Sequence, residues 1–576
     1  MSPAGQKTTR SILEVRNRQN CQAANGTSDA TPCQETFMRA VLQDRWWQAG
    51  IAILIIAACL RLTYLESKPL HNDEGVNGNF MTQLVRTGYY HYDPENYHGP
   101  SLYYLTLISV RLNGWLHGQF SHRDAGLSTV ALLVVPAVFG MGVIWLIFLL
   151  RRYLGDYGTL GAAALVALSP GAVFFSRYYI HEILFVFFTL GFVVAALRFY
   201  ETARPLYLML ASASAALLVA TKETSVISLT VLALAYACAA IYPALRKRWE
   251  RREIKVSAQV SRARAHRGQR FDKAPLPPEP LVQLLQRLGG RRKAVRLLLI
   301  ALALFLGIHV VLYSSFFTNF PQGIYDSVRT YQQWLARSGA DHTHEIYTYL
   351  GWMWQEELPS LLFGAIGVVF ALYRVANRFA LFAAFWTMGI LAAYSLINYK
   401  TPWLTLNISI PLAVIGGYAI QEIYNRARQS RRQRVRVSLI GLAAVLAAVS
   451  VYQAISVSFF RYDDDSMPYS YAHTTRQIFM LLDQINQVVA RGGKGTQTGI
   501  MIASPEHWPL PWYLRDFPNV GYWGSVKAPT DEFMVIGEDT QQFELQRVLG
   551  DRFEQVGTYE LRPGAMLVLY VRKDLK

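Results

Sequence analysis

AGLSTVALLVVPAVFGMGVIWLIFLLRRYLGDYG, residues 125–158, joins an uncharged apolar run to a pair of arginines and a glycine-containing turn. A helix rises about 1.5 Å per residue, so roughly 20 apolar residues cross the ~30 Å hydrocarbon layer of a bilayer. Runs of that kind lie near 47–65, 125–150, 158–176, 180–199, 205–221, 224–243, 297–316, 359–375, 379–398, 403–423 and 437–457, eleven in all. The shorter run SLYYLTLISVRLNGWL, residues 101–116, holds Arg111 and ends in polar residues, so it reads as a helix lying in the interface. Composition agrees: of 576 residues 52% are hydrophobic and 16% charged, against about 25% charged in soluble domains.

The net charge of +17 would suggest a nucleic-acid partner on a soluble chain, but here it is localised. Residues 246–296 hold sixteen Lys/Arg against four Asp/Glu, and 426–436 hold six Arg. Basic segments beside apolar spans report topology and anionic headgroups, so membrane lipids and no nucleic acid are expected as partners. With the N-terminus inside and eleven spans, the basic connections fall on one side: Arg151 and Arg152, Arg198 with Arg204, 246–296, Arg374 with Arg378, and 426–436. The expected layout is a cytoplasmic disordered tail (1–46), a membrane domain (47–460) and an extracytoplasmic domain (461–576), in the plasma membrane. Within the membrane domain 66–124 and 317–359 are outward loops, and 246–296 is a cytoplasmic loop. A cleaved signal peptide is not expected, because no apolar segment precedes the first span. The tail alternates β-like runs (499–503, 532–536, 566–571) with helical patterns (474–489, 541–549), which predicts a small α/β domain. The fold class is thus an α-helical polytopic membrane protein with a small C-terminal α/β domain. Cys21, Cys33, Cys59 and Cys238 follow neither a disulfide framework nor a zinc spacing.

The ionisable residues that stand out lie on the outward face. HNDEGVNGNF follows the first span and places His71 beside the adjacent acids Asp73 and Glu74, with Arg61, Asp93, Glu95, Tyr97 and His98 in the same region. Carboxylates among aromatic rings are the usual furnishing of a sugar site, although a hydrated loop would also carry them. SRYYIHEILF sets Arg177, His181 and Glu182 at the lip of two spans; an ion pair of Glu182 with Arg177 or Lys222 is the purely structural alternative. VATKETSVI holds Lys222 and Glu223 between two apolar runs, and NYKTPW puts Lys400 and Trp403 in a short turn. A lone ammonium at Lys222 would snorkel or lose its proton unless an anion held it, so replacing it is expected to harm anion binding more than folding.

These motifs, in order, resemble the GT-C superfamily of integral-membrane glycosyltransferases, in its protein O-mannosyltransferase and aminoarabinose-transferase-like branch. The resemblance rests on the acidic pair after the first span, the interfacial helix, RRYLGDYG, the series Ser169, Pro170, Ser176, Arg177, Tyr178, Glu182, and Thr221 with Lys222. HNDEG, YHGPSLYY, ATKE and NYKTPWL are also similar to a flippase-activity-associated prokaryotic subgroup. The resemblance implies a polyprenyl-phosphate sugar donor, a protein or glycan acceptor, and inversion at the anomeric carbon. It implies catalytic roles for Asp73, Glu74 and Glu182 and donor-phosphate binding by Lys222; the other ionisable and aromatic residues expected on the same face add Lys400 and Arg177 as donor-phosphate candidates and His71, His98, Tyr97, His181 and Trp403 as substrate-binding candidates. The chain departs from it at His98, Gly99 and Pro100, where relatives carry Lys-Pro or His-Pro-Pro, and at Val76, where some carry Arg. No cofactor or metal is required by this chemistry, although His181 beside Glu182 could form half of a metal site. A non-catalytic protein assisting the flipping of lipid-linked oligosaccharides is the alternative.

Overall fold

The computed structural model describes residues 44–96, 98–119, 124–261, 280–337, 343–375, 377–429, 433–527 and 532–575. The described residues divide between Ile56 and Ala57 into two units. In the first, the described part opens the helix Arg45–Leu62. Among the described residues eight helices are long and apolar enough to cross a membrane: Arg45–Ser67, Thr129–Phe148, Glu182–Thr202, Ser225–Trp249, Arg291–Tyr313, Arg378–Leu396, Pro402–Gln429 and Gln433–Phe460. Thr348–Glu356 and Leu358–Arg374 add one more if taken together, bent by 116° at Glu357. The other two expected runs form shorter apolar helices, Asp156–Leu168 and Pro205–Val219. Each apolar run of the sequence is therefore helical, but three of the eleven fall short of a straight span.

Helix limits follow local chemistry. Ser128 and Asn377 cap the helices they precede, accepting from the N–H groups of Ala131 and Ala380 at 3.1 Å. Gly155 has φ +79°, which lets the chain turn between Arg151–Leu154 and Asp156–Leu168. Asp156–Leu168 stops because Pro170 offers no N–H to the Val166 carbonyl, its partner four residues back. The buried Arg61 guanidinium replaces the missing donor, reaching the Val166 and Ala167 carbonyls at 2.9 and 3.0 Å.

The helix Leu406–Gln429 is buried from Leu406 through Ala419 and packs against Leu358–Arg374, Asp156–Leu168 and Arg378–Leu396. Glycines bring these backbones together: a Cβ on Gly417 would lie 2.5 Å from the Gly158 carbonyl oxygen. Small residues at such crossings are what membrane helices use in place of a hydrophobic driving force. Outside the spans, Ser101–Leu116 is helical as expected and exposes Ile108, Leu112, Trp115 and Leu116.

The C-terminal residues build a five-stranded sheet: β1 Ile500–Ile502, β2 Val520–Tyr522, β3 Met534–Glu538, β4 Phe553–Arg562 and β5 Ala565–Arg572. Its order is β2-β1-β3-β5-β4; β1 pairs parallel with β2 and β3, and β5 runs antiparallel to β3 and β4. Gln477–Gly492 buries Ile478, Leu481, Ile485 and Val488 in the core that takes one face of the sheet. Gln542–Leu549 places Leu545 and Leu549 in the core that takes the other. Three of these strands and both helices lie where the periodicity puts them, whereas β2 and β4 carried no signal read from the sequence.

The sheet domain is joined to the start of the helix Asn72–Thr87 by the glycines of HNDEGVNG. A Cβ on Gly75 would lie 2.7 Å from Pro509 Cα, and one on Gly78 would lie 2.7 Å from the Trp512 ring. The Trp512 indole N–H donates to Thr129 Oγ1 at 3.2 Å, and Tyr513 OH accepts from the Leu70 N–H at 2.9 Å.

Candidate functional site

The helix Asn72–Thr87 starts with a capping box. His71 Nδ1 accepts from the Asp73 N–H at 3.1 Å, while Glu74 Oε2 accepts from the His71 N–H at 2.9 Å. Glu74 is fully buried and does more: Oε1 accepts from the Tyr179 N–H at 2.6 Å, and Oε2 pairs with Lys68 Nζ at 3.1 Å. The adjacent acids therefore have different tasks. Glu74 is consumed by the helix start and a buried ammonium, and burial raises its pKa despite Lys68. Asp73, one residue earlier, keeps its side chain 41% exposed beside His71.

Lys68 escaped the sequence reading, although it precedes the acidic pair by only a few residues. It is buried, stands 4.7 Å from the Tyr178 ring centroid, and lies 3.4 Å from His473 Nε2. His473 and a second missed residue, Arg562, come from the C-terminal part of the chain, and no sequence pattern links them to the first loop. His473 packs its ring 5.6 Å from that of His71. Arg562, at the end of β4, pairs with Glu506; burial lowers its pKa and the charge of Asp73 opposes that.

Glu182 begins the helix Glu182–Thr202 and forms a buried ion pair with Lys222. Lys222 is thus not the lone ammonium expected from its flanks: burial alone would depress it, but Glu182 and Glu223 raise it above the usual lysine value. Around this pair, residues 98–101 run beside 220–222, with the Gly99 and Ser101 N–H groups on the Thr221 and Ala220 carbonyls at 3.0 Å. His98 Nδ1 is 3.4 Å from Glu223 Oε2, and His181 Nε2 is 3.1 Å from the Gly99 carbonyl oxygen. The His98 and His181 rings lie 4.9 Å apart. Tyr178 joins the two clusters: burial first, then Asp73, Glu74 and Glu182, push its phenol well above the usual value.

The remaining predicted residues are placed as follows. Arg177 is fully buried and donates to the Thr63 and Tyr64 carbonyls at 2.5 and 2.7 Å, satisfying the C-terminal end of the first long helix. Lys400 Nζ donates to the His344 and Ile397 carbonyls at 3.1 and 2.6 Å. Trp403 stands 6.2 Å from His71 and 6.5 Å from Tyr178, ring to ring, and so borders the first cluster. Tyr97 lies outside the described residues. The neighbouring tyrosines Tyr90 and Tyr92 are buried against Tyr103 and Tyr313, which makes them core rather than platform. Among the described residues no group of three or more His, Cys, Asp or Glu is placed to hold a metal ion.

His71 is held neutral. Burial pulls it from its ordinary 6.5 down to about 4, with Asp73 opposing and Lys68 and Arg562 reinforcing the shift. Since Nδ1 accepts from Asp73, the neutral ring carries its proton on Nε2. Between pH 6.5 and 4 the unfolded chain gains a proton here that the folded chain refuses. Stability should therefore fall as pH drops through that window and be indifferent to His71 above it. His71→Asn keeps an N-cap acceptor and should flatten this part of a thermal-stability curve; an unchanged slope would refute the assignment.

Comparison with known proteins addresses the fold. Residues 74–260 match the family model described as oligosaccharyl transferase STT3, N-terminal. No curated protein matches the chain in sequence. Among solved structures, ArnT from Cupriavidus metallidurans bound to undecaprenyl phosphate aligns over 91% of this chain and 98% of its own, with TM-score 0.60 and 12% identity. Its apo state gives 0.58 at 13% identity, over 92% and 98%. The archaeal oligosaccharyltransferase AglB from Archaeoglobus fulgidus, in complex with an inhibitory peptide and a dolichol-phosphate, gives 0.51 at 14% identity, over 86% and 70%. The chain has the fold of these proteins, and the expected GT-C architecture is met.

Proposed function

We propose that this chain is a membrane glycosyltransferase that moves a sugar from a polyprenyl-phosphate carrier to an acceptor hydroxyl on the extracytoplasmic side, with inversion. The observation that carries the reading is Asp73: of the three acids Asp73, Glu74 and Glu182, the latter two are buried against lysines, while Asp73 is half-exposed beside His71. In the proposed step the Asp73 carboxylate takes the acceptor hydroxyl proton as that oxygen bonds to the anomeric carbon. The bond from that carbon to the phosphate oxygen breaks, and its electron pair leaves with the polyprenyl phosphate.

Charge on the leaving phosphate falls to a lysine. Lys400 is the favoured partner, because its hydrogen bonds go to neutral carbonyls and Glu345 meets its charge only at longer range, whereas Lys222 is ion-paired directly with Glu182. Arg177 serves helix capping in this reading, and Glu74 and Glu182 hold the site's frame. His71, Trp403, His98 and His181 would border donor and acceptor. ArnT was solved with undecaprenyl phosphate and AglB with a dolichol-phosphate, both polyprenyl phosphates, which supports that donor class here. The basic stretches 246–296 and 426–436 support an orientation with those segments cytoplasmic and the sheet domain outside.

The test is mass spectrometry of lipid-linked sugars and surface glycans from cells with and without the protein. Loss of one sugar from a surface glycan, with its carrier-linked form accumulating, is expected. Full-length lipid-linked oligosaccharide retained on the inner leaflet, with the glycan sequence unchanged, would instead identify a flipping helper.

A further inference from the structure

The segment 343–357 ends at a buried carboxyl that the proposed mechanism does not use. Pro359 has no N–H to offer the Gln355 carbonyl, its partner four residues back, so the helix Thr348–Glu356 cannot run on into Leu358–Arg374. The chain bends by 116° at Glu357, and Gln453 Nε2 donates to the Gln355 carbonyl at 2.6 Å instead. Glu357 is built into the bend: its Oε1 accepts from the Ser169 hydroxyl at 2.5 Å and from the Gly171 N–H at 2.9 Å. Glu356 is not. It is 1% exposed, and neither of its carboxyl oxygens has a hydrogen-bond partner among the described residues.

A carboxylate in that place would give up its hydration with no donor in exchange, a cost that a buried acid avoids by keeping its proton. Its surroundings offer little relief. Glu357 is the next residue, and Tyr469 shares with Glu357 the space over Gly171, where a Cβ would lie 3.0 Å from each. The one cation whose charge bears on Glu356 is Arg461, and Asp464 already holds its Nε at 2.8 Å. Pro170–Phe175 and Pro402–Thr405 bring no titratable side chain, and Arg378–Leu396 contributes Tyr394, which packs on Tyr349. Burial first, then the charge of Glu357, raises the Glu356 carboxyl from its ordinary 4.5 to about 7, with Arg461 opposing.

The same segment holds the turn that carries Lys400 and Trp403. Thr343 and Tyr399 form a β-bridge, the His344 N–H donates to the Asn398 carbonyl at 3.2 Å, and Lys400 Nζ returns a bond to the His344 carbonyl at 3.1 Å. Further along, Thr348–Glu356 packs on Pro402–Thr405. We propose that Glu356 is a proton-operated catch: as the neutral acid it lets Thr348–Glu356 seat against this turn, and when its proton leaves to water the segment loosens so that the carboxylate can be hydrated. The device is independent of the transferase reading. Opening returns the carboxyl to its ordinary range, so from pH 4.5 to about 7 the open form gains as the pH rises, and above that window the balance is level.

The experiment is hydrogen exchange of the full-length protein in detergent, followed by mass spectrometry on peptides within 343–357 and 398–405 and corrected for intrinsic exchange. Between about pH 5.5 and about pH 7.5 the wild-type segment should lose roughly tenfold or more of its protection, since a carboxyl titrating in this window shifts an opening equilibrium by up to about tenfold per pH unit. Glu356→Gln should keep the low-pH protection at both values. So should Glu356→Met, which keeps the side-chain length without a polar head. Thermal midpoints give a second reading: the difference between each variant and wild type should be more positive at about pH 7.5 than at about pH 4.5. Taking that difference removes the titration of His71, which all three proteins share. The catch is overturned if wild-type protection is equal at the two pH values, or if both variants keep the wild-type response. Restoration of wild-type protection at the higher pH by Mg²⁺ or Ca²⁺ would make Glu356 a metal ligand and overturn the proton role.

Discussion

Asp73→Asn should lower sugar transfer by about 10²–10⁴-fold, the span associated with loss of a general base, while the protein stays folded. Asn keeps the shape of the side chain. Asp73 lies in the first turn of Asn72–Thr87 and its side chain is 41% exposed, so the structural loss is confined to a charge near a helix N-terminus. That interaction is worth about 0.3–1 kcal/mol, which moves a thermal midpoint by roughly 2 °C or less in a chain of this size. Glu74→Gln is the paired control and should behave in the opposite way. It strips the partner from the buried Lys68 ammonium and weakens the bonds to the His71 and Tyr179 N–H groups, costing about 3–5 kcal/mol. Turnover per folded molecule should largely survive. Thermal unfolding in detergent together with single-turnover transfer decides between them, and the assignment is lost if Glu74→Gln folds normally but is the variant without turnover.

The second large effect concerns Glu182 and Lys222. Read from its flanks, Lys222 is an isolated cation whose removal would hardly harm folding. The structure reverses the expected sign, because Glu182 and Lys222 are mutual partners and both are buried. Lys222→Met alone, or Glu182→Leu alone, leaves an uncompensated buried charge and should cost about 3–5 kcal/mol. The double variant removes both charges and should recover much of that loss, but not all of it, because the buried Glu223 also loses the Lys222 charge. A double-mutant cycle on thermal stability reads the coupling directly. Two additive single effects, or a Lys222→Met protein as stable as wild type, would mean that the pair is not formed. If Lys222 also serves the donor phosphate, the double variant will fold yet show weakened donor dependence, whereas a phosphate held by Lys400 leaves that dependence intact.

The spans were legible because a bilayer imposes a length and a composition that any apolar run must meet, and eleven such runs became helices. The small sheet was legible at β1, β3 and β5, whose residues form buried apolar runs, and illegible at β2 and β4, which are largely half-buried and mix polar with apolar residues. The acidic centres at Asp73, Glu74 and Glu182 could be named from sequence, since an ionisable residue beside a span needs a partner or a wet cavity. Their division of labour could not. Successive residues on a helix point about 100° apart, so once His71 caps Asn72–Thr87, Glu74 turns inward to Lys68 and Tyr179 while Asp73 stays half-exposed beside His71. In the same way Arg177 was an obvious cation, but its acceptors are the carbonyls left open where the first helix ends. His473 and Arg562 lie some 400 residues or more from the loop they complete, and no local pattern encodes such a meeting. Which segments are helical and where charge concentrates follow from solvent and periodicity, and so can be read along the chain; which charge stays available to react depends on burial and pairing, and so on what distant parts of the chain bring to that point.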